Sequence, residues 1–146
     1  MTLTIFTVGH SNRSFEELIR ILKKYNIETI VDVRSFPTSK KYPWFNRETL
    51  EIELPKFKIK YIWLKDLGGY RRGGYEKYQE SEQYKIALDE LISLAKESRV
   101  AIMCAEKLWF KCHRRFISND LVRRGIEVIH IIDLKRIQKH KLKKQV

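Results

Sequence analysis

The sequence predicts a single α/β domain: a mostly parallel, five-stranded sheet with helices on both faces, in Rossmann-like layers. Three observations predict it. Five short runs rich in Ile, Val and aromatic residues recur at residues 3–8, 29–33, 59–64, 100–104 and 126–132, the composition of buried strands. Amphipathic segments at helical spacing separate them. Every strand-to-strand connection is longer than a dozen residues, which suits a crossover and not a tight hairpin.

In chain order, Phe15, Leu18, Ile19, Leu22 and Tyr25 share one face of a first helix, and Ser14 with Glu17 forms a capping box at its start. Asn46 is placed to cap a shorter second helix that ends near Pro55. Ser81 opens a third helix with Tyr84, Leu88, Leu91, Ile92 and Ala95 as its buried stripe. Residues 112–124 form a fourth, with Phe116, Ile117 and Leu121 inward and Gly125 as its stop. Residues 1–133 make up the domain, and 134–146 read as a basic C-terminal helix or tail.

The 146 residues are 43% hydrophobic and 12% aromatic, enough for one core. No apolar run of membrane-spanning length occurs. The N-terminus lacks a basic, apolar leader, so a cytoplasmic location and no membrane partner are expected. Two cysteines, Cys104 and Cys112, are too few for a disulfide framework. Thirty basic against 18 acidic residues give a net charge of +12, and residues 135–146 hold six of the bases with no acid. That excess favours a phosphate-containing small molecule or nucleic acid as partner. Lys, Ile and Glu enrichment with few Asn and Gln equally suits a thermophile's solvated surface.

In open parallel sheets ligands bind beyond the carboxyl ends of the strands. Here those ends lead into Gly9-His10-Ser11-Asn12-Arg13, Asp32-Val33-Arg34-Ser35, Asp66-Leu67-Gly68-Gly69 and Cys104-Ala105-Glu106, followed by Cys112-His113-Arg114. The opposite edge carries plain turn chemistry. One edge therefore holds the candidate site.

At these residues the chain resembles a known family, the domain of unknown function 488 family. The resemblance rests on Gly-His-Ser-Asn-Arg-Ser at 9–14, Val-Asp-Val-Arg-Ser-Phe-Pro at 31–37, Leu-Gly-Gly at 67–69, Cys-Ala-Glu at 104–106 and Cys-His-Arg at 112–114. Together these segments span nearly the whole chain up to about residue 132. It implies an α/β fold and a shared site; the family's name assigns no reaction. Between Glu106 and Cys112 this chain carries Lys-Leu-Trp-Phe-Lys where a more polar spacer is expected.

The leading expectation is an intracellular enzyme acting on a nucleotide or on a base in nucleic acid. Asp32, Glu106 and Cys104 are the candidate catalytic groups. Gly9, His10, Ser11, Asn12, Arg34, Ser35, Cys112, His113 and Arg114 are candidates for binding, with Gly68, Gly69, Arg71 and Arg72 on a tyrosine-rich lid at residues 68–78. Tyr42, Trp44 and Phe45 add an aromatic loop from the same edge. Bland alternatives stand beside these: a turn at Gly9, a structural His10, Asp32 and Arg34 as each other's counterions, and an inert core Cys104. Walker A, G-x-G-x-x-G and Cys-x5-Arg patterns are absent. No cofactor is expected, and the Cys-x7-Cys-His spacing disfavours a metal. A non-catalytic nucleic-acid-binding module and a thiol or sulfur-handling protein using Cys104 and Cys112 remain open, as does a reversible disulfide between them.

Overall fold

The computed structural model describes residues 2–142. Its strands are β1 (Thr4–Gly9), β2 (Thr29–Asp32), β3 (Lys60–Trp63), β4 (Val100–Cys104), β5 (Glu127–Ile131) and β6 (Ile137–Lys139), in the order β3-β2-β4-β1-β5-β6. The first five run parallel, and β6 pairs antiparallel with β5. The helices are α1 (Phe15–Lys24), α2 (Arg47–Glu53), α3 (Tyr75–Tyr78), α4 (Glu82–Glu97) and α5 (Arg114–Arg123). Among the described residues no helix is long and apolar enough to cross a membrane.

Side chains alternate across each strand, so the sheet has two buried faces and two cores. Phe6, Val8, Ile30, Ala101 and Met103 meet α1 and α2 through Leu18, Leu22 and Leu50. Ile5, Val31, Val100, Ile102 and Val128 meet α4 and α5 through Leu88, Leu91, Ile117 and Leu121. Thr7 and Cys104 fall on the second face by parity, and Asp32 on the first.

This topology creates the crevice. Strands β1 and β4 are neighbours, yet β1 leaves through α1 on one face and β4 through α5 on the other. Their outgoing loops diverge and leave a gap beyond the strand ends. At its base the two loops touch: the N–H groups of His10 and Ser11 donate to the carbonyls of Cys104 and Ala105, each at 2.9 Å. Gly9 permits this approach, because a Cβ there would lie 1.9 Å from the Glu106 carbonyl oxygen.

Helix ends follow the sequence with small departures. Ser14 accepts the Glu17 N–H at 3.1 Å, while Glu17 turns to Arg13 at 3.6 Å and leaves the capping box half made. Asn46 occupies the N-cap of α2, but its side-chain oxygen accepts from Ser39 N–H at 2.6 Å instead of from the helix. Helix α5 starts at Arg114, not at Cys112, which lies in extended backbone just before it.

The larger differences lie in two segments. Residues 68–78, expected as a lid, contain α3 and are anchored: Tyr75 is buried against Tyr84, Phe116 and His113, and its hydroxyl donates to Leu67 O at 2.9 Å. After Asp133 the chain forms neither helix nor tail but a turn and the edge strand β6, because the Asp133 carboxylate accepts the N–H groups of Lys135 and Arg136, each at 2.9 Å. Residues 143–146 of the expected tail lie outside the described residues.

Gly9→Ala is expected to lower the unfolding free energy by about 3 kcal/mol, since the added methyl runs into the Glu106–Lys107 backbone. A shift of the urea midpoint at constant slope measures it; an unchanged midpoint would show that the two loops separate freely.

Candidate active site

The crevice has a volume of about 650 Å³ and lies at the carboxyl ends of β1, β2 and β4. His10, Ser11, Asn12, Arg34, Ser35, Gly69, Cys104, Glu106, Cys112 and His113 line it, together with Phe36, Thr38, Ser39, Tyr42, Tyr70 and Lys107.

One wall is built on β2. Arg34 grips Asp32 in a bidentate pair, Nε to Oδ1 at 2.9 Å and Nη2 to Oδ2 at 2.7 Å. The Asp32 carboxylate also accepts from the Tyr61 hydroxyl and from the Arg34 N–H at 3.1 Å, and it has no exposed surface. Nη2 of Arg34 donates again to Phe45 O at 2.8 Å, and Nη1 to His10 Nε2 at 3.3 Å. Four of its five N–H groups are thereby used, which leaves one on Nη1 for the crevice. The His10 tautomer follows from its partners. Arg34 only donates and the Ser11 carbonyl only accepts, so Nε2 carries the lone pair and Nδ1–H faces Ser11 O at 2.9 Å. Burial lowers the His10 pKa to about 4, and the ring stacks on Phe45 with centroids 4.5 Å apart.

The floor is a sulfur pair over a buried cation. The free thiols of Cys104 and Cys112 stand with Sγ atoms 3.1 Å apart. Arg114 is fully buried and contacts no carboxylate among the described residues. Its Nε donates to Cys112 Sγ at 3.2 Å, its backbone N–H to the same sulfur at 3.4 Å, and Nη2 to the carbonyls of Glu106 and Lys107. A buried charge requires a compensating partner, and the Cys112 sulfur is the one group here able to supply it. The hydrogen bond from Cys104, aided by His113 and Arg114, holds the Cys112 pKa far below the ordinary thiol range. The same bond, with burial, pushes Cys104 up. Of the two sulfurs it is Cys112, not Cys104, that meets the Arg114 guanidinium, and Cys104 is its proton-bearing neighbour.

Behind Arg114 runs a chain that sequence reasoning missed. Nη1 donates to Thr7 Oγ1 at 3.1 Å, and Thr7 Oγ1 meets His130 Nδ1 at 2.6 Å. His130 Nε2 meets His140 Nδ1 at 2.9 Å, and His140 Nε2 meets Asn119 Oδ1 at 2.7 Å. With the Asn119 oxygen as acceptor, every link has one consistent sense: each ring donates through Nε2 and accepts at Nδ1, and the Thr7 hydroxyl donates to His130. Both rings are then neutral, as their depressed pKa values require; burial is the main cause in each. Trp109 covers His130 in a parallel stack at 4.4 Å. The available signal was parity: Thr7 aligns with Ile5, and His130 with Val128, on the core face.

Several expected residues lie elsewhere. Asp32 is sealed behind Arg34 and cannot touch a ligand, so it positions that guanidinium. Arg114 sits below the floor and not on it. Glu106 is exposed at the rim, where its carboxylate accepts Leu108 N–H at 3.3 Å and makes no pair with Arg114. Gly9 and Gly68 serve close backbone approach behind the lining, and the expected phosphate cradle loses two N–H groups to Cys104 O and Ala105 O. Arg71 is tied to the carbonyls of Gly68 and Lys65, each at 3.0 Å, and Arg72 is exposed outside the crevice. Gly69 borders it, packed so closely on the His113 ring that a Cβ would approach to 2.5 Å. Trp44 donates to Arg13 O at 2.9 Å, and Phe45 is buried beneath His10. Among the described residues no group of three or more His, Cys, Asp or Glu is placed to hold a metal ion.

Two consequences are measurable. His10 and His130 have folded pKa values below their ordinary 6.5, so the unfolded chain takes up protons that the folded chain refuses. Their contribution to stability is complete above about pH 6.5 and falls with acidification, by about 1.4 kcal/mol per pH unit for each ring. His10 stops adding to the loss below about pH 4. Urea denaturation at pH 7 and pH 5 checks this; equal stabilities would mean that the rings are not held neutral. Second, Thr7→Val should free one edge of Arg114 and move the pH midpoint of iodoacetamide alkylation of Cys112 up by about one unit. Thr7→Ser should restore the wild-type pH profile. An unaltered profile in Thr7→Val would detach this chain from the thiol.

Comparison with known proteins now bears on these residues. No curated protein and no solved structure matches the chain. The family model described as domain of unknown function DUF488 matches residues 14–74 and 71–121. Those segments take in Arg34, Gly69, Cys104, Glu106, Cys112 and Arg114, while Gly9 to Arg13 precede them and β5 and β6 follow. With well over half of its 146 residues matched, the chain belongs to the DUF488 family.

Proposed function

We propose that this protein is a thiol enzyme that performs covalent group transfer on a phosphate-containing substrate, with Cys112 as nucleophile and Cys104 as its acid. One observation carries the reading: a buried guanidinium without a carboxylate lies against one member of a close sulfur pair that faces a polar crevice. Environments that drive two neighbouring groups to opposite pKa values assign nucleophile and acid. The Cys112 thiolate attacks an electrophilic centre, its electron pair forms the new bond, and the leaving group departs with the pair of the broken bond. The Cys104 thiol protonates that leaving group. Transfer to an acceptor reverses the sense, the acceptor's proton returning to Cys104. The free N–H of Arg34 and the hydroxyls of Ser11, Ser35 and Ser39 suit the polar, uncharged part of such a substrate, and Lys107 at the rim suits its anionic part.

A second reading has its own support, the 3.1 Å sulfur separation. Loss of two electrons and the one remaining thiol proton to a peroxide or a disulfide would join Cys104 and Cys112, and a thiol reductant would return them.

Substoichiometric iodoacetamide at pH 6 separates the possibilities by intact mass and peptide mapping. The expected adduct lies on Cys112, disappears in Cys112→Ser, and persists with a flattened pH profile in Cys104→Ser. Predominant labelling of Cys104, or none at either sulfur, would remove the thiol mechanism. Quantitative conversion to the disulfide by peroxide, with nucleotides giving no protection from alkylation, would favour the redox reading.

A further inference from the structure

The crevice continues beyond the sulfur pair. Gly69, Cys112 and His113 also border a second depression with Phe110, Lys111, Arg115 and Phe116. Phe110, Arg115 and Phe116 in turn border a third, which ends at Arg123, His140 and Lys141. Through these shared residues the three follow one another as a track from Cys112 to the residues just after the edge strand β6. Its outer two sections hold Lys111, Arg115, Arg123 and Lys141 against a single acidic residue, Glu76. Among the described residues Lys111, Arg115 and Lys141 have no ion-pair partner, while Arg123 pairs with Asp120 at 3.2 Å. Phe110 offers an open ring, 47% exposed, while the half-buried Phe116 ring is stacked on Tyr75 and covered by the Arg115 guanidinium at 4.5 Å.

We infer that the track binds single-stranded nucleic acid and delivers one nucleotide to the Cys112 crevice. The inference rests on the thiol reading for what happens in the crevice, but the track stands on its own residues. Its chemistry is that of single-strand sites: unpaired cations for phosphates beside an exposed ring, Phe110, on which any base stacks. A duplex is disfavoured because the sulfur pair is recessed and bases inside a helix do not reach it. A membrane surface is disfavoured because the exposed apolar side chains there, Phe110 and Leu142, lie outside any amphipathic helix that could insert. The chain's net charge of +12 supplies long-range attraction to polyanions, and the track gives that attraction a place and a direction.

Fluorescence anisotropy of the full chain with short labelled oligothymidylate and oligouridylate, over a range of salt concentrations, tests this. Phe110→Ala should weaken binding about tenfold without altering the salt slope, the signature of lost stacking. Arg115→Gln should reduce the slope by about one phosphate contact. Lys96→Gln makes the same charge change at the amino-end edge of the sheet and should leave both nearly untouched. A saturating oligonucleotide should also protect Cys112 from iodoacetamide. Lys96→Gln matching Arg115→Gln would reduce the effect to unspecific charge and overturn the track. So would equal binding of a duplex, or of vesicles rich in anionic phospholipid. Binding without protection of Cys112 would overturn delivery into the crevice. Alkylation of the unliganded protein reports the thiolate alone, so failure of the thiol reading would leave the anisotropy result standing, and the reverse.

Discussion

Arg114 is the constraint on which the candidate site depends. A guanidinium does not deprotonate in a protein, and moving one out of water is strongly unfavourable unless charge and hydrogen bonds compensate it. In this fold Arg114 is fully buried among two carbonyls, a threonine hydroxyl and a sulfur, with no carboxylate in contact. The neutral acceptors satisfy its geometry but not its charge. A thiolate at Cys112 does both, so the ionisation that the proposed mechanism requires of Cys112 is also what makes Arg114 tolerable where it is. On that reading, reactivity and local stability share one interaction.

The topology explains why this interaction occurs where a ligand can reach it. Cys104 ends β4 on the face that α5 covers, and Cys112 immediately precedes α5. The divergence of the β1 and β4 connections opens the sheet at the same point. Thr7, paired in register with His130 across β1 and β5, extends the polar seam under the floor as far as His140 beside β6. The edge strand is therefore more than a cover: it carries the ring that ends the hydrogen-bond chain before Asn119.

Much of the fold was legible because its signals are local. Five parallel strands, four of the five helices and the Gly125 stop follow from periodicity and capping, and β4 falls on the predicted residues. The edge strand β6 was hidden by its composition. Ile137, Gln138 and Lys139 are all exposed, so no apolar alternation marks them, and Lys on an edge strand protects against unwanted pairing while resembling a tail. The cue was Asp133, whose side chain closes the turn. At the site, the polar loops revealed the edge but not the depth of each residue. Asp32 and Arg34 share a face, as spacing requires, yet nothing local says that the carboxylate lies inside and the guanidinium outside. The exchange of roles between Cys104 and Cys112 depends on which sulfur Arg114 reaches, a long-range fact set by the start of α5. Tyr75 was read as lid material because glycines surround it; its burial depends on Tyr84 and Phe116, which are distant in sequence.

The two crevice arginines show how one residue type takes opposite tasks. Arg34 is neutralised by Asp32 and held by Phe45 O and His10, so it offers the crevice direction more than charge: one fixed N–H on a rigid fork. Arg114 offers charge without access. On the proposed reading, an anionic substrate would meet a wall whose cation is already paired and a floor that carries a thiolate, and such a site would repel as readily as it attracts. The balance would fall to Lys107 at the rim and to the cations farther along the track, which lie outside the first contact with the sulfur. Phosphates set back from the reacting group would resolve the conflict: the negative charges would lie where the unpaired lysines and Arg115 are, and the part of the substrate that enters between His10 and Cys112 would itself be uncharged.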